Sequence, residues 1–453
     1  MKYQIILPTY LLIVLLCSAC SGLLDEKTDI KMVIPKSLDD AELLLNDYTT
    51  MNMGYPALGE MGADQYYIPD ETFDGTLNTD QQGFYTWTDQ PYTDVTVWQR
   101  PYKAVFNANQ VLDMLAQLPE GGDLAKKSRL LGAAHFFRAF AFQQLIEVFA
   151  PAYQKGKAAT DLGIPLRLNP GVDEPSRRAS LEDSYQQVLK DYNIAARNLP
   201  DGEAIIGQPL RASAYAGLAR AYLAMSDFEQ AYLYADSSLM LRGDLLDFNE
   251  LDKEEDLPIP RFNKEILFIA MTGGSGPMNY NNNIVKEAFY NSYEVFDLRK
   301  RIFFQERDEP IGTQRYRGNY DRNKALLFVG LTTSEMYLTK TESAVRTDRV
   351  DEALSTLNTL LLKRFRTGKY VPITERDPDD LLALILKERE KELIFRGRGW
   401  SDLKRLNLDS RFQKTLSRTV KGRSYTLLPN SLQYAFRLPE AVVRVGGLPQ
   451  NPR

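Results

Sequence analysis

Along most of the chain, apolar and small residues return every third or fourth position, and two long blocks break that rhythm. Residues three and four apart share one face of a helix, so the period predicts helices. Trp98, Tyr102, Val105, Ala108, Asn109 and Leu112 form one such face and predict a helix from about residue 97. A second spans about 124–149 and stops before Pro151, because proline disfavours helix in the preceding residue. Ser180-Leu181-Glu182-Asp183 places a hydroxyl three residues before an acid, an N-cap pattern. It opens a helix reaching about residue 199, before Pro200-Asp201-Gly202. Residues 211–225 and 228–241 make the clearest pair, joined at Ser226-Asp227. A weaker pair occupies 330–366, the last strong helix spans about 379–395, and 36–54 reads as a short helix after Pro35.

Ala219, Tyr222, Ala231 and Ala235 occupy positions that resemble the small and aromatic sites of a tetratricopeptide repeat. Small residues there let paired helices approach closely, and stacked pairs bury one continuous core. The expected fold is therefore mostly α: tetratricopeptide-like helix pairs form a scaffold over about 97–242 and 329–406. Long irregular insertions with short strands interrupt it at about 55–96 and 243–328. The first insertion is rich in Gly, Asp, Thr, Tyr and Pro. The second holds a predicted strand at 266–270, then Thr272-Gly273-Gly274-Ser275-Gly276-Pro277 and an asparagine-rich run at 279–283. The tail from Asn407 reads as turns and short strands.

Composition removes several function classes. Charged residues are 25% of the chain and hydrophobic ones 44%, ordinary for a folded protein. The 55 basic residues are diluted among 60 acids, net −5, so no basic stripe awaits nucleic acid. The one histidine, His135, sits in an apolar helical run and reads as a packing residue. The two cysteines, Cys17 and Cys20, lie at the extreme N-terminus. The body thus lacks a thiol nucleophile, a disulfide and a His/Cys metal cluster. No metal, cofactor or catalytic role is expected. A glycoside hydrolase is the rival reading: it needs two carboxylates about 5–10 Å apart, and no local motif marks such a pair. The acidic run 252–256 reads as a solvated loop rather than a calcium site.

Tyrosine is abundant, at 25 residues, with 21 Phe and 3 Trp. Neither insertion has the periodicity of core, and long loops on a rigid scaffold are where recognition usually sits. Sugars offer flat C–H faces edged by hydroxyls, which suit aromatic rings beside carboxamides and carboxylates. The candidate ligand-binding residues are Trp87, Tyr66, Tyr67, Tyr85, Tyr280, Tyr290 and Asn281, expected to converge in one shallow site. Trp98 is assigned to the core because it is in phase with a helix face.

The N-terminus carries Lys2 and an apolar run over 5–16, short for a bilayer span of about 20 residues and suited to a secretory signal peptide. Leu16-Cys17-Ser18-Ala19-Cys20 resembles a bacterial lipobox, so residues 1–19 are expected to be a signal peptide and Cys20 the lipidated N-terminus. Residues 20–453 are then expected to form one domain. Asp25-Glu26 resembles a surface-export tag.

The most specific stretch is Glu388-Arg389-Glu390-Lys391-Glu392-Leu393-Ile394-Phe395-Arg396-Gly397-Arg398-Gly399-Trp400-Ser401-Asp402-Leu403-Lys404-Arg405. It resembles the signature of the SusD/RagB family. Gly399 stands where arginine is more usual, which puts one local ion pair in doubt. Trp98, Tyr102 and Asn107-Ala108-Asn109, then Arg138-Ala139-Phe140, Gly163-Ile164-Pro165-Leu166, Leu438-Pro439-Glu440 and Pro449-Gln450-Asn451-Pro452 resemble further family segments in order. Leu438-Pro439-Glu440 would be a C-terminal strand. Within the signature, Glu388, Arg389 and Glu392 have the spacing of ion pairs on one helix, Gly397 can take a positive φ and stop it, and Trp400 can pack back. The resemblance implies a lipid-anchored, surface-exposed outer-membrane protein. It would bind oligosaccharide, or peptide in some members, and deliver it to a SusC-like TonB-dependent transporter.

Overall fold

The computed structural model describes residues 36–119, 121–171, 175–202 and 206–453. The expected signal peptide and Cys20 lie outside them. The helix expected at 36–54 is two, α1 (Leu38–Leu45) and α2 (Tyr48–Met51), because the Asp47 side chain accepts from the Thr50 N–H at 3.2 Å and caps a new start. Residues 55–96, expected to be irregular, contain α3 (Leu58–Gly62), β1 (Tyr66–Tyr67), α4 (Asp70–Thr76) and α5 (Thr79–Thr86). Helices this short complete too few turns for an apolar period to register.

The long helices follow the pattern closely. They are α6 (Thr96–Gln117), α7 (Leu124–Phe149), α8 (Leu181–Asn198), α9 (Arg211–Ala224) and α10 (Phe228–Leu241), with strands β2 (Leu162–Pro165) and β3 (Arg178–Ser180) pairing before α8. Ser180 caps α8 as expected, its hydroxyl accepting from the Asp183 N–H at 3.0 Å.

The second insertion carries β4 (Ile266–Phe268), β5 (Ile284–Val285), α11 (Glu287–Tyr290), α12 (Arg299–Ile302), β6 (Phe304–Glu306) and β7 (Gln314–Tyr316). Then come β8 (Leu331–Thr332), α13 (Thr333–Val345), α14 (Val350–Leu362), α15 (Pro378–Glu392) and α16 (Gly399–Leu406). A hairpin of β9 (Leu416–Val420) and β10 (Arg423–Leu427) and a helix α17 (Glu440–Gly446) complete the chain. The strand expected at 438–440 is instead the entry to α17. The Asn451 amide donates to the Phe149 and Phe436 carbonyls at 2.8 and 2.6 Å, which ties down the final segment.

Successive helices stack: α7 lies against α6 and α8, α9 against α8 and α10, α10 against α13, and α13 against α14 and α15. Close approach depends on small residues. A Cβ on Gly217 of α9 would lie 2.4 Å from the Tyr192 ring of α8. Phe268 of β4 meets Phe136, Phe137 and Phe140 of α7 edge-on, with centroids 4.6, 5.7 and 5.0 Å away, so the second insertion is pinned into the main core. A satellite core of Leu338, Leu357, Leu360, Leu381 and Ile385 joins α13, α14 and α15.

The charges of α15 do not chiefly pair with one another. Glu392 accepts from Arg364 Nε and Nη2 at 3.0 and 2.8 Å, and Arg299 Nη1 lies 3.4 Å away. Glu388 holds Arg299 Nη2 at 2.5 Å and, within the helix, Lys391 Nζ at 2.6 Å. Arg364 also reaches Glu265 at 2.7 Å. Asp402 of α16 accepts from Arg389 and Arg405, each at 2.8 Å, and Arg405 goes on to Glu342 of α13 at 2.6 Å. Gly397 sits at φ +75° between α15 and α16, where a Cβ would meet Val329 at 2.8 Å. The expected stop is there, and a separate helix follows it. Trp400 packs back over α3 and donates from Nε1 to the Tyr434 carbonyl at 3.0 Å.

Burial alone would raise the Glu392 carboxyl, but Arg364 and Arg299 outweigh it and hold it low. Burial likewise opposes ionisation of Asp402, yet Arg389 and Arg405 bring it down to about 2 from 3.8. Removing one partner of a buried pair leaves an uncompensated charge. Arg364→Met is therefore expected to cost about 3–5 kcal/mol in urea unfolding. Between pH 3.8 and about 2 the unfolded chain binds the Asp402 proton and the folded chain does not. Stability should fall by roughly 2 kcal/mol as pH drops through that window, and Asp402→Asn should flatten this part of the pH profile.

Candidate functional site

The two insertions meet through their backbones. Tyr66 and Tyr67 of β1 pair with Val285 and Ile284 of β5, and the sheet continues through β7 to β6 in the order β1-β5-β7-β6. The Gly273 N–H donates to the Tyr55 carbonyl at 2.8 Å, a second tie between the blocks. Side chains alternate across a sheet. Tyr66, Val285, Gln314, Tyr316 and Phe304 share the inner face, and Tyr67, Arg315 and Gln305 the outer one. Tyr67 is 38% exposed.

Tyr280 stands over that outer face, half-buried. Its hydroxyl donates to Asp256 Oδ1 at 2.7 Å and also lies against Gln305 Oε1. Arg315 and Lys324 approach the ring at 4.8 and 4.6 Å from its centroid. Burial first, then Asp256, pushes the phenol up to about 12, so it remains a donor at neutral pH. Arg307 Nη1 donates to the Asn281 and Asn283 carbonyls at 2.8 and 3.1 Å, which holds the asparagine-rich loop beside β7. Asn281 itself is exposed. Tyr67, Tyr280 and Asn281 thus belong to one surface edged by Arg307, Arg315, Gln305 and Asp256.

Tyr290 lies on the other side. Its ring meets Phe304 edge-on at 5.5 Å and carries Lys300 Nζ 4.5 Å from its centroid. Tyr66, Tyr85 and Trp87 correct the expectation more sharply. They are 0%, 2% and 5% exposed and offer no open ring face. The Arg418 guanidinium of β9 lies 5.2, 3.9 and 4.6 Å from their centroids. It donates to the carbonyls of Met61, Tyr85 and Ala63. Trp87 Nε1 donates to the Gly62 carbonyl at 3.0 Å, and the Tyr66 hydroxyl to the Met61 carbonyl at 2.7 Å. These aromatics wrap a buried cation that closes the polar ends of short helices. On the first insertion the candidate ring that remains exposed is Tyr67.

His135 Nδ1 lies 2.7 Å from Asp191 Oδ1, and Arg138 grips the same carboxylate at 2.7 and 2.8 Å, a buried structural cluster. In the acidic run, Glu254, Glu255 and Asp256 pair with Arg301, Arg322 and Lys324. Among the described residues no group of three or more His, Cys, Asp or Glu side chains converges as a metal site. Trp98 is 7% exposed and packs on Tyr102 and Phe149, as its phase implied. Its edge also lines a groove of about 510 Å³ with Tyr102, Phe106, Asn109, Val442 and Val445, which the sequence reading missed because α17 was read as strand.

The fold is similar to that of SusD superfamily structures. One from Bacteroides thetaiotaomicron superposes with a TM-score of 0.76 at 22% identity, covering 92% of this chain and 100% of that one. A SusD-like carbohydrate binding protein from Bacteroides vulgatus gives a TM-score of 0.70 at 19% identity, covering 91% and 97%. The family model SusD-like_3, described as starch-binding associating with outer membrane, matches residues 23–223. SusD-like protein P2 of Formosa agariphila is 23% identical over 369 residues, 69% of this chain and 71% of its own. The chain thus resembles the SusD/RagB family in its fold over nearly its whole length and in its family-model match over residues 23–223.

Trp87→Ala should cost about 3–5 kcal/mol of stability in urea unfolding, as large-to-small core changes do. Tyr67→Ala, on the exposed face, should stay within about 0.5 kcal/mol. Equal costs for the two would contradict this division between packing and surface.

Proposed function

We propose that this protein is a nutrient-binding lipoprotein of the outer membrane that captures oligosaccharide on the outer face of the β1-β5-β7-β6 sheet. It then passes the sugar to a SusC-like TonB-dependent transporter. The observation that carries the reading is the convergence of both insertions at one sheet, where Tyr67 is exposed and Tyr280 is fixed beside Arg315, Gln305 and Asp256. Such a face offers a ring for a sugar's C–H surface and donors and acceptors for its hydroxyls. The match to a family described as starch-binding and outer-membrane associated supports both the ligand class and the location. Residues 20–453 act as one domain behind a lipid on Cys20 at the cell surface, and among the described residues no helix is long and apolar enough to cross a membrane. Binding without chemical change needs no cofactor. A peptide is the second reading, favoured by Arg315 and Lys324 beside Tyr280, which suit a carboxylate-bearing ligand.

Stacking of a flat ligand on an aromatic ring is worth about 1–3 kcal/mol for a nucleobase, and a sugar face should gain a comparable or smaller amount. Tyr67→Ala and Tyr280→Ala should each weaken oligosaccharide binding about tenfold in calorimetry against a glycan and peptide panel, with the melting temperature nearly unchanged. The glycan should be recovered intact. Full affinity in both variants would move the site elsewhere, and preference for peptides would favour the second reading.

A further inference from the structure

A cavity of about 240 Å³ opens between α3, α15, α16 and the segment before β9. It is separate from the sheet face and from the groove beside Trp98. Leu386, Leu393, Ile394, Leu403, Leu406 and Phe412 give it apolar walls. It exceeds the cavity of about 150 Å³ that accepts benzene in an engineered protein core. Two buried acceptors face it, Glu60 at 3% exposure and Gln65 at 6%.

Both acceptors are incompletely satisfied. Glu60 Oε1 accepts from the Gly399 N–H at 2.8 Å, while Oε2 has no partner. The Gln65 amide nitrogen donates to Glu390 Oε1 at 2.9 Å. A carboxylate only accepts, so this bond fixes the orientation of the amide, and Gln65 Oε1 is left without a donor. The two side chains come together at Gly399, where a Cβ would lie 3.3 Å from Glu60 Oε1 and 3.4 Å from Gln65 Oε1. An unpaired buried acceptor costs free energy that a donor ligand would recover.

The charges around the cavity are already matched elsewhere. Arg398 is held by Glu147 at 2.5 and 2.9 Å, with only its Nε left over. Arg389 is held by Asp402 at 2.8 Å and Lys414 by Asp64 at 2.9 Å. Glu390 faces Lys414 at 3.9 Å, and Lys387 stands exposed at the rim. Glu60 is the carboxyl without a countercharge. Burial pushes it up to about 7, with Asp402 adding to the rise, against the pull of the Gly399 N–H, Arg398 and the Trp400 N–H.

We propose that this cavity binds a small organic cation, an amine or guanidine with an apolar body, whose N–H groups meet Glu60 and Gln65 while its hydrocarbon lies among the leucines. A guanidinium presents several donors in one plane, which suits two acceptors converging at Gly399. The cation also supplies the countercharge that Glu60 lacks.

The probes are n-butylguanidine and its neutral isostere n-butylurea, each at millimolar concentration on the full chain. Binding is read by calorimetry and by melting temperature at pH 8 and pH 5.5. Butylguanidine should bind and raise the melting temperature at pH 8, with butylurea at least tenfold weaker. The preference should fade at pH 5.5, where Glu60 carries its proton. Glu60→Gln keeps the acceptor for Gly399 and should abolish the preference; it should also melt higher than the parent at pH 8 without ligand. Gln65→Met should weaken butylguanidine several-fold. Glu60 also borders a void of about 20 Å³ beside Glu147 and Trp400, room for a water. If a water there already satisfies Oε2, butylguanidine will fail to bind or will match butylurea. Either result, or undiminished binding by Glu60→Gln, overturns the assignment.

Discussion

One buried ion network on α15 fixes the second insertion against the helix-pair scaffold. Arg299 comes from the second insertion, Arg364 from just past α14, and Glu388 and Glu392 from α15, and all are nearly or wholly buried. Desolvating charges is expensive, and buried pairs give little net stability over well-packed apolar residues. Their value is geometric: an arginine with two or three carboxylates around it has one low-energy arrangement. Arg299 touches Asp297, Glu388 and Glu392 together, so it sets where the insertion stands against the scaffold. Backbone bonds reinforce this, with Leu298 donating to Arg364 at 2.8 Å and Arg366 to Phe296 at 3.0 Å.

The same short stretch gathers the first insertion. Gln65 reaches Glu390, the Gly399 N–H reaches Glu60, and Trp400 packs on α3. With both insertions fixed to α15 and α16, β1 and β5 are brought within pairing distance and the sheet forms between segments about two hundred residues apart. The sheet face that joins the insertions is thus positioned by buried charges that lie away from it. This is why the densest motif in the chain lies away from the exposed rings. The cavity between α3 and α16 is a by-product of the same junction, and the acceptors left there are what make it chemically distinctive.

How much of this was legible follows from the physics of each element. Helices α7, α8, α9 and α10 were readable because each spans several turns, with repeated small or apolar positions and marked ends such as Ser180 and Pro151. Helices α3, α4 and α5 were not, since a five- to eight-residue helix has too few positions to show a period. That gap led Tyr66, Tyr85 and Trp87 to be read as loop aromatics. The residue that buries them, Arg418, lies more than three hundred positions away, and nothing local announces that contact. The partners of Glu388 and Glu392 were equally hidden, because spacing on one helix shows which charges share a face and says nothing about Arg299 or Arg364. The meeting of the insertions was foreseeable in outline; its register was not.

The central claim is that the α15 network holds the second insertion in place independently of the helix stack. Hydrogen–deuterium exchange on Arg299→Met tests it most directly. Protection at β5, β6 and β7 and at Tyr66–Tyr67 should drop markedly, while α8, α9 and α10 exchange as in the parent protein. Unchanged protection across the sheet, or a uniform loss that includes α9 and α10, would contradict the account.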